Sequence, residues 1–226
     1  MAKKQIKKEE EAIALDVQLT KAEAFIEKNL KKILCGIAVV VVVVVAGFAW
    51  NHYMSGKEAE AQKAIAKSQQ AFTQQKYDQA LNGDGAVSKG FLNIIKEYSG
   101  TKTANLAKLY AAICYAKTEK YDEAIQMFED YSVKDDEMVS PAALAALGNC
   151  YIQKGDNQKG ADMLLKAAKE ADNDAISPIC LLQAAEVYEA EGKNEEAVAL
   201  YKQIKEKYFR NPLSAEMDKY IERATK

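Results

Sequence analysis

Three stretches decide the fold: NLAKLYAAICYAKTEKYDEAIQMFEDY (residues 105–131), PAALAALGNCYIQKGDNQKGADMLLKAA (141–168) and PICLLQAAEVYEAEGKNEEAVALYKQI (178–204). They begin 36 and 37 residues apart, and self-similarity at such a period marks a stack of supersecondary units. Ala112, Gly148 and Ala185 hold one small position in the first half of each, followed three residues on by Tyr115, Tyr151 and Tyr188. In the second half the small position is Ala124, Gly160 and Ala197, with Phe128, Leu164 and Tyr201 four residues later. Small residues let two antiparallel helices approach closely, and the large ones fill the gap to the next unit. The pattern predicts helix-turn-helix units whose turn glycine is Gly155 and Gly192 but is replaced by Glu119 in the first. Such stripes are core and carry no chemistry.

A degenerate fourth unit is expected before these. Lys57–Lys76 patterns as a long helix with Ala61, Ile65, Ser68 and Phe72 on one face, and Phe91, Ile95 and Tyr98 match second-helix positions. Between them YDQALNGDGAVSKG, residues 77–90, is longer than the repeat requires and is expected to be a flexible loop. Its glycines fit neither GxGxxG, which needs glycine at Ser88, nor GxxxxGK[ST], which needs lysine at Phe91. At the other end Leu213, Met217, Ile221 and Ala224 form one apolar face, as a capping helix should.

These residues resemble tetratricopeptide repeats, which implies an all-α fold: here an N-terminal transmembrane helix followed by an α-solenoid domain with a C-terminal capping helix. The transmembrane expectation rests on CGIAVVVVVVVAGFAW (35–50), within an uncharged run of 18 residues, Ile33–Trp50. As a helix that run is about 27 Å long, against a hydrocarbon core of roughly 30 Å. In lipid a single segment must satisfy its backbone polar groups internally, which overrides valine's mild aversion to helices. Eight lysines precede the run, whereas the twenty residues after it hold only Lys57, Lys63 and Lys67, so the N-terminus is expected on the cytoplasmic side. A cleaved secretory leader would have a much shorter charged region, although Gly47 and Ala49 suit a cleavage site. The expected organisation is therefore a charged cytoplasmic tail (1–32), a transmembrane helix (33–50) and a repeat domain (51–226) on the opposite side of the membrane. Leu15, Leu19, Ala22, Ile26, Leu30 and Ile33 recur at helical spacing in the tail, a face for the membrane surface, a partner or solvent.

Composition narrows the function. Residues 51–226 carry 23 basic and 27 acidic side chains, which is no nucleic-acid surface. The only histidine, His52, lies beside the span, so neither a Ser-His-Asp triad nor an HExxH zinc site can be assembled in the repeats. The four cysteines, at 35, 114, 150 and 180, contain no CxxC. Asp135 and Asp136, beside Lys134, suit a solvated charge cluster. The chain is expected to be no enzyme and to hold no cofactor or metal; its work is binding. The first-helix positions facing the concave side of such a stack are Leu106, Leu109, Ile113, Lys117, Asn149, Ile152, Gln153, Leu182, Glu186 and Glu189.

The order AEAFIEKNLKKIL, a valine-rich span ending in GFAWNHY, a long Ala/Gln helix, and IIKEYSGTKTANLAKLYAAICYAKTEKYDEAIQMFEDY resembles the YfgM-like ancillary subunit of the bacterial Sec translocon. That resemblance implies a single-span protein of the bacterial inner (cytoplasmic) membrane with periplasmic repeats. Its implied partners are SecYEG, a PpiD-type membrane-anchored chaperone and exported polypeptides. The alternative is a structural organiser of a cell-envelope or division complex with no part in translocation.

Overall fold

In the computed structural model the backbone is described for residues 2–85, 87–134 and 136–226, and side chains from residue 28 onward within those ranges. The described residues form helices joined by turns, with no strand among them. Helices α1 (Ala2–Thr73), α2 (Tyr77–Asn82), α3 (Phe91–Glu97), α4 (Lys102–Lys117) and α5 (Tyr121–Asp130) come first. They are followed by α6 (Val139–Gln153), α7 (Asn157–Ala171), α8 (Ser177–Ala190) and α9 (Asn194–Lys207), then a 3-10 turn (Pro212–Glu216) and α10 (Met217–Ala224). The chain divides into two compact units, Met1–Gly56 and Lys57–Lys226. The helical segment Lys28–Thr73 contains a stretch long and apolar enough to cross a membrane, with an 18-residue window of mean hydropathy 2.8 and none of it buried. The face expected for Leu15, Leu19, Ala22 and Ile26 lies outside the described side chains.

In the second unit, α4–α5, α6–α7 and α8–α9 are the three predicted helix pairs, and consecutive helices pack on one another. The small positions mark where each pair crosses. A Cβ added to Gly148 would stand 2.8 Å from the Gly160 carbonyl oxygen, and one added to Gly160 would meet Gly148 oxygen at 2.9 Å. Ala112, Ala124, Ala185 and Ala197 occupy the same places and are fully buried. Phe128, Leu164 and Tyr201 fill the spaces between units, and the core is three clusters strung along the stack, as a one-dimensional repeat requires. Met217 and Ala224 close its far end, with Leu213 and Ile221 packed beside them.

The first repeat departs from expectation. Residues 77–90 are not one flexible connection: Tyr77–Asn82 is helical, with Ala80 and Leu81 buried. The signal was present, because Lys76-Tyr77-Asp78-Gln79-Ala80-Leu81 repeats Lys120-Tyr121-Asp122-Glu123-Ala124-Ile125. Ser68 is then the small residue of the first helix, and it is fully buried. Eleven positions separate Ala80 from Phe91 where four separate Ala124 from Phe128. Seven residues have thus been inserted into a second helix, splitting it into α2 and α3. The insertion is pinned at its neck. Asp84 Oδ1 accepts from the amides of Val87 and Ser88 at 2.7 and 2.8 Å, and the Ser68 and Ser88 hydroxyls share a buried hydrogen bond of 3.0 Å. Gly90 has φ +76°, and a Cβ there would lie 2.4 Å from the backbone of Asn82 and Gly83, so only glycine fits.

The same turn joins the helices of all four units. Gln75, Glu119, Gly155 and Gly192 have φ of 60, 59, 84 and 75°. Each is followed by an amide that reaches back five residues, from Lys76 to Ala71, Lys120 to Tyr115, Asp156 to Tyr151 and Lys193 to Tyr188. This is a Schellman-type closure, which favours glycine at the left-handed residue. Glu119→Gly and Gln75→Gly should therefore each stabilise the protein, by about 0.5–1 kcal/mol, since a left-handed side chain costs roughly 1–2 kcal/mol and glycine's extra chain entropy returns part of it. Thermal and urea denaturation of the two variants check this; a lowered melting temperature in both would contradict it.

Candidate protein-binding face

The predicted binding residues lie on α4, α6 and α8, the first helices of three successive units. The structure separates them into two groups. Leu106, Lys117, Gln153 and Glu186 are exposed, and Ile113 and Leu182 are half-buried, their outer parts accessible. The others are committed to internal contacts. Leu109, expected on the surface, is only 9 % exposed and packs in the central cluster with Ala112, Phe128 and Leu147, because its α4 position points at the α5–α6 junction. Ile152 is half-buried and fills the space left by the missing Cβ of Gly160. Asn149 donates through its side-chain amide to Gln183 on the next unit at 3.4 Å.

Glu189 is engaged by the chain's own C-terminus. Arg223 on α10 grips its carboxylate with two bonds of 2.7 Å, and the Tyr201 hydroxyl donates to it at 2.8 Å. The hydrogen bond from Arg223 lowers the Glu189 pKa, burial works against it, and Tyr201 assists. Burial, together with the bond to Glu189, pushes the Tyr201 phenol up. Helix α10 thus seals the acidic end of the face.

Sequence reasoning missed the groups that fix the edges of this face. Glu58 accepts from the Lys102 amide at 2.7 Å, the Thr103 amide at 3.3 Å and the Thr103 hydroxyl at 2.7 Å, capping α4 from 44 residues away. Burial raises its pKa, but the bonds from Thr103, Gln62 and Lys102 outweigh that and leave it lowered. Asp136, expected as part of a solvated cluster, instead accepts from the amides of Met138, Val139 and Ser140 and from the Ser140 hydroxyl at the start of α6; Asp135 lies outside the described residues. No periodicity announces such caps, and only an acidic residue just before a helical run hints at Asp136.

The cysteines bring no reactive centre to this face. Cys114, Cys150 and Cys180 are free and buried. Burial pushes their thiols up, Cys114 to about 12 with the Asp78 carboxylate adding to it, and the other two to about 11. Among the described residues no cluster of His, Cys, Asp and Glu could hold a metal ion.

Comparison with known proteins agrees with this geometry. The tetratricopeptide repeat-like domain family matches residues 23–147, more than half of the chain. The chain belongs to that family. A tetratricopeptide repeat also matches residues 180–208, the fourth unit. Among solved structures, the chain is similar to nearly identical TPR-like repeats of a kinesin light chain from Podosopora anserina, with a TM-score of 0.57 and 13 % identity. The match covers 74 % of this chain and 85 % of that one, and at this identity it speaks for the fold alone. No curated protein sequence matches. The repeats make the chain a scaffold for protein–protein contacts.

Two outcomes test the sorting of the face. Leu109→Glu buries a carboxylate in the core and should lower stability by about 3 kcal/mol or more, whereas Leu106→Glu, at an exposed position, should change it by less than about 0.5 kcal/mol; urea titrations distinguish them. Glu189 supplies a pH signature. Its folded pKa lies below the unfolded value of about 4.3, so its contribution is complete above that value and is lost as pH falls through the folded one. The fall in melting temperature between pH 5 and 3 should accordingly be shallower in Arg223→Gln than in the parent chain.

Proposed function

We propose that this chain is a single-span anchored scaffold of the YfgM-like kind. Its N-terminal tail (1–32) lies in the cytoplasm, residues 33–50 cross the inner membrane, and the repeats (51–226) work in the periplasm. There it associates with a SecYEG-type translocon and a PpiD-type chaperone to assist exported chains. The observation that carries the reading is the exposed valine run. Val39–Val45 are each at least 48 % exposed, and seven consecutive exposed valines in water would be an aggregation site. In lipid each instead favours insertion by a few tenths of a kcal/mol or more. The lysine excess before the run supports the orientation.

Partners are proposed to dock along the accessible part of the first helices, Leu106, Ile113, Lys117, Gln153, Leu182 and Glu186. This surface is mostly aliphatic and amide, with a single lysine and a single carboxylate. It lacks the cluster of cations that would hold a charged C-terminus, and it suits apolar or extended segments of a protein partner.

Photo-crosslinkers placed at Leu106, Lys117 and Glu186 in cells test both parts. Adducts with a translocon subunit, the chaperone or nascent exported proteins are expected. Adducts confined to wall or outer-membrane machinery would favour the envelope-organiser role instead. In intact spheroplasts added protease should digest residues beyond Trp50 and spare the first 32; protection of the repeats would overturn the orientation.

A further inference from the structure

Several large apolar side chains of the repeat unit remain outside any core. Met138, Ile179 and Phe209 are 54, 47 and 67 % exposed. They share one edge of the stack, formed where the chain passes from one unit to the next. The Asn173 side-chain amide donates to the Glu137 carbonyl at 2.8 Å and approaches the Met138 sulfur at 3.9 Å. Asn211 repeats the device one unit on, donating to the Asp174 carbonyl at 2.6 Å. These two asparagines hold three successive inter-unit turns in a row, and Ile179 stands at the start of α8, just after the middle one.

The charges along this row are ordered. Glu137 and Asp174 are exposed and form no ion pair among the described residues. Their acidic neighbours are already engaged, Asp136 by the α6 amides and Asp172 by Lys207 at 2.5 Å. At the opposite end Arg210 lies over the Phe209 ring, 5.6 Å from its centroid, and it too has no carboxylate partner among the described residues. The edge therefore begins with an acid beside a methionine, has Asp174 and Ile179 near its middle, and ends with a phenylalanine beside a base.

When reversed, the two ends of this order are complementary, and only Asp174, near the middle, meets its own copy. We propose that this edge docks a second copy of the chain, the two rows running antiparallel about a two-fold axis near Ile179. The axis places Glu137 of each copy against Arg210 of the other and Met138 against Phe209, so one contact made twice removes four apolar side chains from water and pairs four charges. Closed two-fold association through a self-complementary patch is the commonest symmetry of oligomers, and opposed charges set its register.

The test is charge reversal with rescue on the full chain in non-ionic detergent, followed by sedimentation equilibrium. The parent chain should be dimeric. Glu137→Arg and Arg210→Glu should each weaken self-association by roughly ten-fold or more, and the two together should restore it. In a Cys35→Ser background, Ile179→Cys should form an intermolecular disulfide on mild oxidation. A monomeric parent overturns the proposal, as does a dimer indifferent to both reversals, which would be held by another surface. Failure of the combined variant to recover overturns the antiparallel register. All the substitutions are at exposed positions, and circular dichroism checks that each variant keeps its helices.

Discussion

Everything in the repeat unit depends on how closely two antiparallel helices can approach. At Gly148 and Gly160 the backbones come so near that neither position has room for a methyl group, and Ser68 with Ala80, Ala112 with Ala124, and Ala185 with Ala197 repeat the crossing with slightly larger pairs. Close approach within a pair leaves each unit a flat slab that cannot bury its own large apolar residues. Phe128, Leu164 and Tyr201 can be dehydrated only by the neighbouring unit, so stacking is obligatory. Stacking in turn lines up the first helices on one side and the inter-unit turns along one edge, the two surfaces proposed for partners. Both surfaces follow from crossings that take no part in them.

Much of this was legible because stacking leaves a periodic trace. Small-then-aromatic spacing located three helix pairs, and a long uncharged run located the segment fit for a membrane. What was illegible had no period. The split helix of the first repeat is masked by seven extra residues between Ala80 and Phe91, although the Tyr77 to Leu81 motif parallels Tyr121 to Ile125. An ideal first helix would leave Leu109 on the surface, but packing against α5 and α6 covers it. Glu189 occupies a surface position that α10 happens to cover, and the long-range caps by Glu58 and Asp136 depend on which turn comes to rest beside which helix. Periodicity reports the stack and says little about what each end does with its spare polar groups.

The two ends of the repeat unit solve the problem of spare groups differently. At the start, Glu58 spends its charge on the amides of α4 and so ties the first helix to the second unit. At the finish, Arg223 and Tyr201 close over Glu189, and the groove ends in a neutralised pair where a bare carboxylate would otherwise stand. Between them the accessible first-helix surface carries little charge of either sign. A partner bound there would be held by shape and dehydration more than by charge, whereas the edge of inter-unit turns keeps its unpaired charges, and the contact proposed for it would be the more salt-sensitive.

The pinned insertion in the first unit shows where such an array can absorb change in length. Helix α2 stops and α3 resumes with Ala80 and Phe91 both buried in the places the repeat assigns them, because Gly83 and Gly90 bring the two ends of the loop back together. The stack responds to the neck and not to what hangs from it. Chain length at this point is uncoupled from register, so the loop can lengthen, shorten or acquire a new sequence over generations while the remaining units keep their alignment. A new contact surface can arise there without the helices being redesigned.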